Sequence, residues 1–372
     1  MAKPVCPYFG VCGGCTSQDT DYDLQIKQKQ DQLQEAIRFE DVIIFSGIEY
    51  HYRSRMDFVF HSEGLGLRQR GFFYKFVGIE HCAISNERLN ELLKETRDFF
   101  KDVFYFDVKR RFGAFCYAVI RTPPGDSSVS IVLNKKDKKL ERAIQRVQEF
   151  SEITSAENVL ATLIPHNRNV SVSDEFQVPK GKDTLTEKYL GHSFQYPIQG
   201  FFQVNHTMAE QVHRHCKSLL SQHETENVNL VDLYGGVGTF GIINAGYFKE
   251  VTIIENYPPA LKAAAANISQ SKVENVKLVE LNAKNLIDLE LSKPFVLILD
   301  PPRSGIHPKT IKRIYDLEPE ALLYVSCNPK HLANDLKELD KYEIKSAALF
   351  DMFPQTPHME AVVELIPKAS QF

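Results

Sequence analysis

The fold of the second half of the chain is decided by the stretch Val228-Asn229-Leu230-Val231-Asp232-Leu233-Tyr234-Gly235-Gly236-Val237-Gly238-Thr239-Phe240-Gly241. Its first six residues are mostly apolar and predict a buried strand. The glycines that follow, Gly236, Gly238 and Gly241, satisfy the pattern G-x-G-x-x-G. Glycines in a turn after a strand let the backbone approach a bound cofactor closely. The stretch therefore predicts a cofactor-binding turn between a strand and a helix.

An acidic residue follows the next predicted strand, from Val251 to Ile254, at Glu255. A carboxylate in this position can accept hydrogen bonds from both hydroxyls of a ribose. An adenosine-type cofactor is therefore predicted. NAD and S-adenosylmethionine both remain open, because both use glycine turns and a ribose-binding acid. An NAD-dependent dehydrogenase is thus an alternative of a different enzyme class, although only the glycine pattern supports it.

Strands and helices alternate from residue 227 onward, which predicts an α/β fold with a mainly parallel sheet. The later strands are predicted at 276–281, 295–299, 321–325 and 361–366, with an alanine-rich helix around 263–266. Two short polar loops follow strands of this sheet, Asp300-Pro301-Pro302-Arg303 and Ser326-Cys327-Asn328-Pro329. Ligands collect at the carboxyl ends of parallel strands. The two loops are therefore expected to open into one crevice, with a carboxylate beside a thiol.

A thiol and acids in one crevice suit a covalent mechanism on a pyrimidine ring. Carbon 5 of uracil is a poor nucleophile until a thiolate adds to carbon 6, and a base must later remove the proton from carbon 5. Cys327 fits the nucleophile, and Glu360, in an exposed His-x-Glu just before the last strand, fits the base. The alternative for Cys327 is a buried core thiol, but its place just beyond a strand favours function.

Cysteines are concentrated at the start of the chain, at Cys6, Cys12 and Cys15, and the next one is Cys82. In a protein of the cytosol such a group indicates metal rather than disulfides. Three local ligands with one remote ligand are typical of iron–sulfur sites, whereas structural zinc usually has two tight pairs. An iron–sulfur cluster is predicted, with zinc as the alternative.

The first half of the chain predicts an α+β domain with basic side chains. After a polar helix at 21–38, short strands are expected at 52–60, 71–77, 112–122 and 128–134, with a turn at 64–67. Cys116 is predicted to be a core residue. The net charge of −4 gives no overall argument for nucleic acid. Three basic stretches nevertheless could follow phosphates or form solvated surfaces: they comprise Arg53, Arg55, Arg68, Arg70 and Lys75; Lys109, Arg110 and Arg111; and Lys135, Lys136, Lys138, Lys139, Arg142 and Arg146.

Several long motifs resemble those of the RNA uracil-5 methyltransferase family, and the resemblance covers nearly the whole chain. The motifs are Gly200-Phe-Phe-Gln-Val-Asn205, Asp232-Leu-Tyr-Gly-Gly-Val-Gly238, Asp300-Pro-Pro-Arg-Ser-Gly305, Leu323-Tyr-Val-Ser-Cys-Asn-Pro329 and Asp351-Met-Phe-Pro-Gln-Thr-Pro-His-Met-Glu360. The resemblance implies a Rossmann-like class I methyltransferase domain, with an N-terminal and central α+β domain that carries the cluster.

Site roles follow from this resemblance. It implies Cys327 as nucleophile and Glu360 as proton acceptor. Four residues are implied around S-adenosylmethionine and the target uracil: Gln203, Tyr234, Glu255 and Asp300. The four cysteines Cys6, Cys12, Cys15 and Cys82 resemble the [4Fe–4S] site of the family's ribosomal RNA members.

The length of 372 residues predicts two or three domains. We expect a cluster segment with the start of the central domain at 1–90, an RNA-binding domain at 91–199 and the catalytic domain at 200–372. Cluster cysteines without room for a preceding β-barrel resemble the short 23S ribosomal RNA enzymes. The expected partner is thus 23S ribosomal RNA at one specific uridine, with transfer RNA or another ribosomal RNA uridine as the alternative. The target is expected to be a loop uridine, because the base must leave its stack. Without a signal peptide or membrane segment, a cytoplasmic monomer is expected.

Overall fold

The computed structural model describes residues 2–166, 170–223 and 227–369. The outermost ends of the predicted domains, residue 1 and residues 370–372, lie outside this part. The chain forms two compact units that are discontinuous in sequence. The first unit comprises Met1–Tyr22, Ile48–Glu187 and Pro197–His206, and the second comprises Asp23–Gly47, Lys188–Tyr196 and Thr207–Phe372.

The first unit is built on a seven-stranded sheet with two helices. Its elements are β2 (Arg55–His61), β3 (Gly64–Arg68), β4 (Phe76–Gly78), α2 (Glu87–Phe99), β5 (Phe115–Arg121), β6 (Ser128–Asn134), α3 (Leu140–Ile153), β7 (Asn158–Ile164) and β8 (Phe176–Lys180). The strand order is β4-β3-β2-β5-β6-β7-β8, and only the β6–β7 pair is parallel. The apolar faces of α2 and α3, which include Leu92 and Val147, share one core with Phe58 and Phe60 of β2.

Two sequence predictions for this unit are wrong. The expected turn at 64–67 is strand β3, and its glycine is needed for close packing: a Cβ on Gly66 would lie 2.2 Å from the carbonyl oxygen of Val77 in β4. The expected strand at 71–77 begins only at Phe76. Residues 71–75 instead form an exposed loop, closed by the amide of Gln69, which donates to the carbonyl of Lys75 at 2.9 Å.

The second unit is built on an eight-stranded sheet. Its elements are α1 (Tyr22–Ile37, all but the first residue), β1 (Val42–Phe45), α4 (His206–Leu220, again all but the first), β11 (Asn229–Leu233), α5 (Thr239–Asn244), β12 (Val251–Glu255), α6 (Pro258–Ser271), β13 (Val276–Glu280), β14 (Phe295–Leu299), α7 (Pro308–Leu317), β15 (Ala321–Ser326), α8 (Pro329–Glu338), β16 (Tyr342–Phe350) and β17 (Glu360–Pro367), with short 3-10 helices at Ala245–Tyr247 and Ala283–Asp288. β9 (Thr184–Tyr189) and β10 (His192–Pro197) form a separate two-stranded sheet.

The strand order of the large sheet is β1-β16-β17-β15-β14-β11-β12-β13. β17 runs antiparallel to both of its neighbours, and the other pairs are parallel. The predicted strands of this half are all present, but β16 was not predicted. β1, which the sequence grouped with the first half, pairs with β16 from Val42 opposite Ala347. Local patterns do not reveal such a long-range pairing.

The glycine turn between β11 and α5 takes the backbone conformation that the motif predicts. Gly236 and Gly238 have positive φ angles of 54° and 88°. A Cβ on Gly241 would lie 2.6 Å from Ile253, so α5 packs directly on β12 at this point. No helix in the described part of the chain is long and apolar enough to span a membrane.

Candidate active site

Glu255 closes the glycine turn from the end of β12. Its Oε2 accepts a hydrogen bond from the amide of Gly236 at 2.9 Å, and its Oε1 accepts from the amides of Asn256 and Tyr257 at 2.7 and 2.8 Å. These bonds fix the carboxylate beside the turn. Its position agrees with the expected ribose-binding acid, and the role itself stays a prediction.

A second carboxyl group, Asp232, lies beneath the same turn and was not predicted as part of the site. It is buried in β11, and its Oδ2 accepts from the amide of Gly241 at 2.8 Å. Burial raises the pKa of Asp232 to about 7, and the nearby charges of Asp300 and Glu255 contribute to the increase. The sequence signal for this residue was an aspartate inside the apolar run of β11, because an acid in a buried strand needs a specific partner.

The structure brings together the ends of β14, β15 and β17, and with them Asp300, Cys327 and Glu360. Burial is the main cause of a raised pKa in all three groups. The pKa of Asp300 rises to about 7, and that of the half-buried Cys327 thiol to about 11, with Glu360 and Asp300 adding to the latter. We call these three residues with Asp232 the acid–thiol group. The two loops therefore lie side by side at these strand ends.

Glu360 differs from the prediction in its burial. The His-x-Glu segment was expected to be exposed, and His358 is, but Glu360 is only 3% exposed. The reason is that Glu360 is the first residue of β17 and lies opposite Phe350 of the unpredicted strand β16. Its Oε1 is buried and has no hydrogen-bond partner among the described residues. Burial and the charge of Asp300 raise its pKa well above the usual range.

Arg303 supplies the positive charge of the site and was not assigned a role from the sequence. Its guanidinium interacts with both Cys327 and Glu360 and opposes the rise of their pKa values, in part through a hydrogen bond with Cys327. Asn328 connects the two loops, because its Nδ2 donates to the carbonyl of Arg303 at 3.2 Å. The arginine directly after Asp-Pro-Pro was the sequence signal for this group.

A buried hydrogen-bond network holds the loop after Asp300 against α8. The Tyr324 hydroxyl donates to Oδ2 of Asp335 at 2.6 Å, and the amide of Ile306 donates to the same oxygen at 2.9 Å. Asn328 caps α8 through its side chain, which accepts from the amide of Lys330 at 3.2 Å. Cys327 therefore lies at the positive end of a ten-residue helix, which favours a thiolate.

The two remaining predicted cofactor residues lie in different units. Tyr234 follows β11 with a positive φ of 65°; burial raises the pKa of its hydroxyl, while hydrogen bonding to Thr310 and to the backbone of His307 opposes that rise. Gln203 belongs to the first unit, in a segment that is not a strand. The next residues there are anchored by Ser54, whose amide and hydroxyl both donate to the carbonyl of Val204.

The four predicted cluster cysteines lie close together in the first unit. Cys12 and Cys15 interact electrostatically with each other and with Cys6 and Cys82; burial, the main cause, raises the pKa of Cys12 and brings that of Cys15 to about 12. Cys82 is fixed from two sides by Asn90, which accepts from its amide at 2.8 Å and donates to its carbonyl at 3.2 Å.

This set of donors can be tested against the predicted metal groups. Within residues 2–166, 170–223 and 227–369, no three His, Cys, Asp or Glu side chains converge closely enough for a single metal ion. Zinc needs thiolates at about 2.3 Å from one centre, whereas a four-iron cluster holds its thiolates farther apart. The nature of a metal group on these four thiols therefore stays a prediction.

An open α/β sheet with a glycine turn after a strand, an acid fixed beside that turn and a thiol among buried acids is typical of α/β enzymes that bind a nucleotide-type cofactor. Comparison with known proteins gives the particular family. The tRNA (uracil-5-)-methyltransferase family profile matches residues 21–368. The chain therefore belongs to this family and is an RNA uracil-5 methyltransferase. The dehydrogenase alternative is wrong.

Individual relatives agree with this assignment. An RNA methyltransferase of Caldanaerobacter subterraneus is 32% identical, over 96% of this chain and 83% of its own. The tRNA (uracil(54)-C(5))-methyltransferase of Pyrococcus horikoshii is 30% identical, over 97% and 85%. The crystal structure of the Pyrococcus abyssi tRNA (uracil-54, C5)-methyltransferase with S-adenosyl-L-homocysteine has a TM-score of 0.79, at 26% identity over 96% and 86% of the two chains.

Proposed function

We propose that the chain methylates carbon 5 of a uridine in RNA by covalent catalysis at Cys327, with Glu360 as the base. The observation that carries this proposal is the acid–thiol group, in which Cys327, Glu360 and Asp300 interact at the ends of three neighbouring strands. Such an arrangement of a nucleophile beside a buried base matches the two roles that the reaction needs.

Each residue of the group has a defined task in this proposal. The Cys327 thiol, with a pKa of about 11, is protonated at neutral pH, so its proton must leave as the sulfur–carbon 6 bond forms. Asp300, with a pKa of about 7, is placed to accept it, and Arg303 stabilises the thiolate. Carbon 5 then takes the methyl group. Glu360 removes the proton from carbon 5, the sulfur–carbon 6 bond breaks with its electron pair returning to sulfur, and the thiolate takes back the proton from Asp300.

S-adenosylmethionine supplies the methyl group in this proposal. Gln203, Tyr234, Glu255 and Asp300 are proposed to hold it and the uracil. The S-adenosyl-L-homocysteine in the Pyrococcus abyssi structure supports this choice, because it is what remains of the donor after transfer. The fixed carboxylate of Glu255 beside Gly236 is suited to a ribose.

Transfer RNA is the substrate that the relatives favour. Two relatives of the genus Pyrococcus, at 30% and 28% identity, are named as methyltransferases of uracil 54 in tRNA. The predicted cluster cysteines and the expected lack of a preceding β-barrel favoured 23S ribosomal RNA, but nothing in the comparisons supports that substrate over transfer RNA. We therefore propose a loop uridine of transfer RNA as the target, with 23S ribosomal RNA as the second candidate.

A [4Fe–4S] cluster on Cys6, Cys12, Cys15 and Cys82 is proposed for the first unit, in line with the proximity of these thiols. We further propose that residues 1–90 carry the cluster and the start of the central domain, that residues 91–199 continue this RNA-binding domain, and that residues 200–372 carry catalysis. Anaerobically purified protein should show broad visible absorption, and Cys12→Ser should abolish it. Colourless, metal-free protein that is folded and binds RNA would refute the cluster.

The test of the function uses RNA in which uracil is replaced by 5-fluorouracil. Fluorine at carbon 5 cannot leave as a proton, so an enzyme–RNA adduct that resists denaturation should accumulate with S-adenosylmethionine. Separate transfer RNA and 23S ribosomal RNA substrates distinguish the two candidates. Cys327→Ala should form no adduct, and Cys116→Ala, which removes a buried thiol of the first unit, should form it normally. Methylation of RNA by Cys327→Ala would refute the covalent mechanism.

A further inference from the structure

Members of all three basic stretches of the first half of the chain lie beside exposed aromatic rings. We call this surface of the first unit the cation–aromatic strip. It consists of Arg68, Phe72, Phe73, Tyr74, Lys75, Phe104, Lys109, Phe112 and Lys139. The strip lies away in sequence from every residue proposed above for catalysis or for binding S-adenosylmethionine.

The loop at 71–75 forms the first part of the strip. The Arg68 guanidinium carbon lies 4.2 Å from the ring centroid of Phe73, and Nζ of Lys75 lies 4.2 Å from that of Phe72. Phe73 and Tyr74 meet edge to face, with centroids 4.9 Å apart. The rings of Phe72, Phe73 and Tyr74 are 49%, 52% and 53% exposed. Each ring thus has a cation or another ring beside it and is also partly exposed to solvent.

Lys109, in the second basic stretch, contacts this loop, and the turn that contains it leads to the ring beside the third stretch. Its Nζ lies 5.8 Å from the Tyr74 ring, and its own tight turn is closed by Asp107, whose amide donates to the carbonyl of Phe112 at 2.8 Å. Phe112 contacts Phe104 edge to face at 5.0 Å, and Nζ of Lys139 lies 4.8 Å from the Phe104 centroid. Residues from 68 to 139 are thereby brought to one surface.

The charges of the strip are only partly compensated. Arg110, next to Lys109, pairs with Asp107 at 3.8 Å, and Lys135 pairs with Glu175 at 2.7 Å. Arg70, Lys75, Lys109 and Lys139 are exposed and form no ion pair with any described residue. A protein whose net charge is −4 therefore concentrates unpaired positive charge beside exposed rings.

The base of the loop is fixed by the cysteine segment. Cys12 and Gln69 form an antiparallel bridge. On either side of it, the amide of Gly13 donates to the carbonyl of Arg68 at 2.9 Å, and the amide of Arg70 donates to that of Val11 at 2.8 Å. The exposed rings are thus presented from a paired backbone, which reduces the entropy that a ligand must remove on binding.

We propose that the cation–aromatic strip binds an unpaired segment of the substrate RNA, with bases stacked on the rings and phosphates beside the cations. Alternating rings and cations match a single strand, in which bases and phosphates alternate. A duplex hides its bases and would use only the cations. This proposal names a binding surface for the substrate and rests on the proposed action of the chain on RNA.

The test compares binding of a labelled single-stranded oligouridine and of an RNA duplex of equal length, by fluorescence anisotropy on the full chain. The triple variant Phe72→Ala, Phe73→Ala, Tyr74→Ala should bind the single strand at least about tenfold more weakly and the duplex as before. The salt dependence of its residual binding should be unchanged, since no charge is removed. The double variant Lys75→Gln, Lys109→Gln should lower the slope of log K against log salt by about 1.4 for the single strand.

Two further variants control for structural damage. Phe73→Tyr keeps a stacking ring and should bind as the native protein does. Tyr247→Ala removes an exposed ring of the second unit that also lies beside a lysine, with Nζ of Lys217 at 5.5 Å, and should leave binding unchanged. Unchanged single-strand binding by the triple variant, or equal losses on single strand and duplex, would overturn the proposal. These binding measurements do not depend on methyl transfer. A failure of the covalent mechanism would be detected separately, because the native enzyme would then form no adduct with 5-fluorouracil RNA.

Discussion

The acid–thiol group and the cation–aromatic strip differ in the burial of their ionisable side chains. In the second unit, acids are withdrawn from water at the ends of strands, and burial raises the pKa of Asp232 and Asp300 to about 7. In the first unit, Lys75 and Lys109 stay in water beside half-exposed rings. Chemistry on a base needs groups whose protonation changes near neutral pH, whereas holding a phosphate needs only a permanent positive charge. Burial therefore distinguishes the reactive site from the binding surface.

The largest effect is expected from removing the base of the buried group. Glu360→Gln keeps the shape of the side chain but cannot take a proton. Turnover should fall by about 10² to 10⁴, and the covalent adduct with ordinary RNA should accumulate because its release needs that proton transfer. Single-turnover kinetics and gel analysis under denaturing conditions measure both quantities.

Glu343→Gln, an exposed acid on the neighbouring strand β16, is the matched control and should leave turnover unchanged. A Glu360→Gln enzyme that turns over normally would show that another group removes the proton. The difference in burial would then carry no information about which acid is the base.

A similarly large contrast is expected for two lysines that differ in burial. Nζ of Lys29 lies 2.6 Å from Oδ1 of Asp351 and 3.2 Å from the carbonyl of Phe353, and both side chains of the pair are buried. Lys29→Met should lower the free energy of unfolding by about 3 to 5 kcal/mol, because the buried carboxylate of Asp351 loses its paired cation. Lys109→Met in the strip should change it by no more than about 0.5 kcal/mol.

Urea unfolding followed by circular dichroism measures this contrast. The double variant Lys29→Met, Asp351→Leu should recover much of the loss, since it removes both charges. Equal effects of Lys29→Met and Lys109→Met would contradict the assignment of the first lysine to a buried ion pair.

A smaller effect is expected in the pH dependence of stability. The pKa of Asp232 is about 7 in the folded chain and about 3.9 when unfolded. Between these values the folded state binds more protons, so this group's contribution to stability is complete below pH about 4 and is lost as the pH rises through about 7. The loss amounts to no more than about 4 kcal/mol.

Asp232→Asn, whose amide oxygen can still accept from Gly241, should therefore melt with a weaker dependence on pH between 5 and 8.5 than the native chain. Asp57, Glu95 and Glu364, whose pKa values are lowered, titrate below this range and do not obscure the comparison. Identical pH profiles would show that Asp232 is ionised in the folded state.

Much of the fold could be predicted where burial is continuous along the sequence. The strand at Ser128–Asn134 was predicted with its observed bounds, because all of its seven residues are buried. Exposed aromatic residues led to a wrong prediction: Phe72, Phe73 and Tyr74 were expected in a strand but lie in an exposed loop. The turn expected around Gly66 was also wrong. A glycine that is needed because two strands pack closely cannot be distinguished in the sequence from a glycine of a turn.

The candidate site was predictable to the extent that it depends on strand ends. Asp300 and Cys327 each follow an apolar strand. Because parallel strands end at the same edge of a sheet, the sequence predicts that these two residues lie together. The burial of Glu360 was not predictable, since it depends on pairing with β16, and the role of Arg303 depends on distances that no pattern of residues contains. The catalytic and cofactor roles of these residues stay predictions until the trapping experiment is done.

The parallel pairing of β1 with β16 has a consequence for synthesis of the chain on the ribosome. Val42 is opposite Ala347, so the edge strand β1 cannot pair until about 300 further residues have been synthesised. At ~5–20 residues per second this takes roughly 15 to 60 s. All parts of the first unit are translated by residue 206, well before that strand appears. The proposed RNA-binding surface can thus be complete while the sheet that carries Cys327 and Glu360 is still unfinished. On this proposal, a nascent chain binds RNA before it is able to modify it.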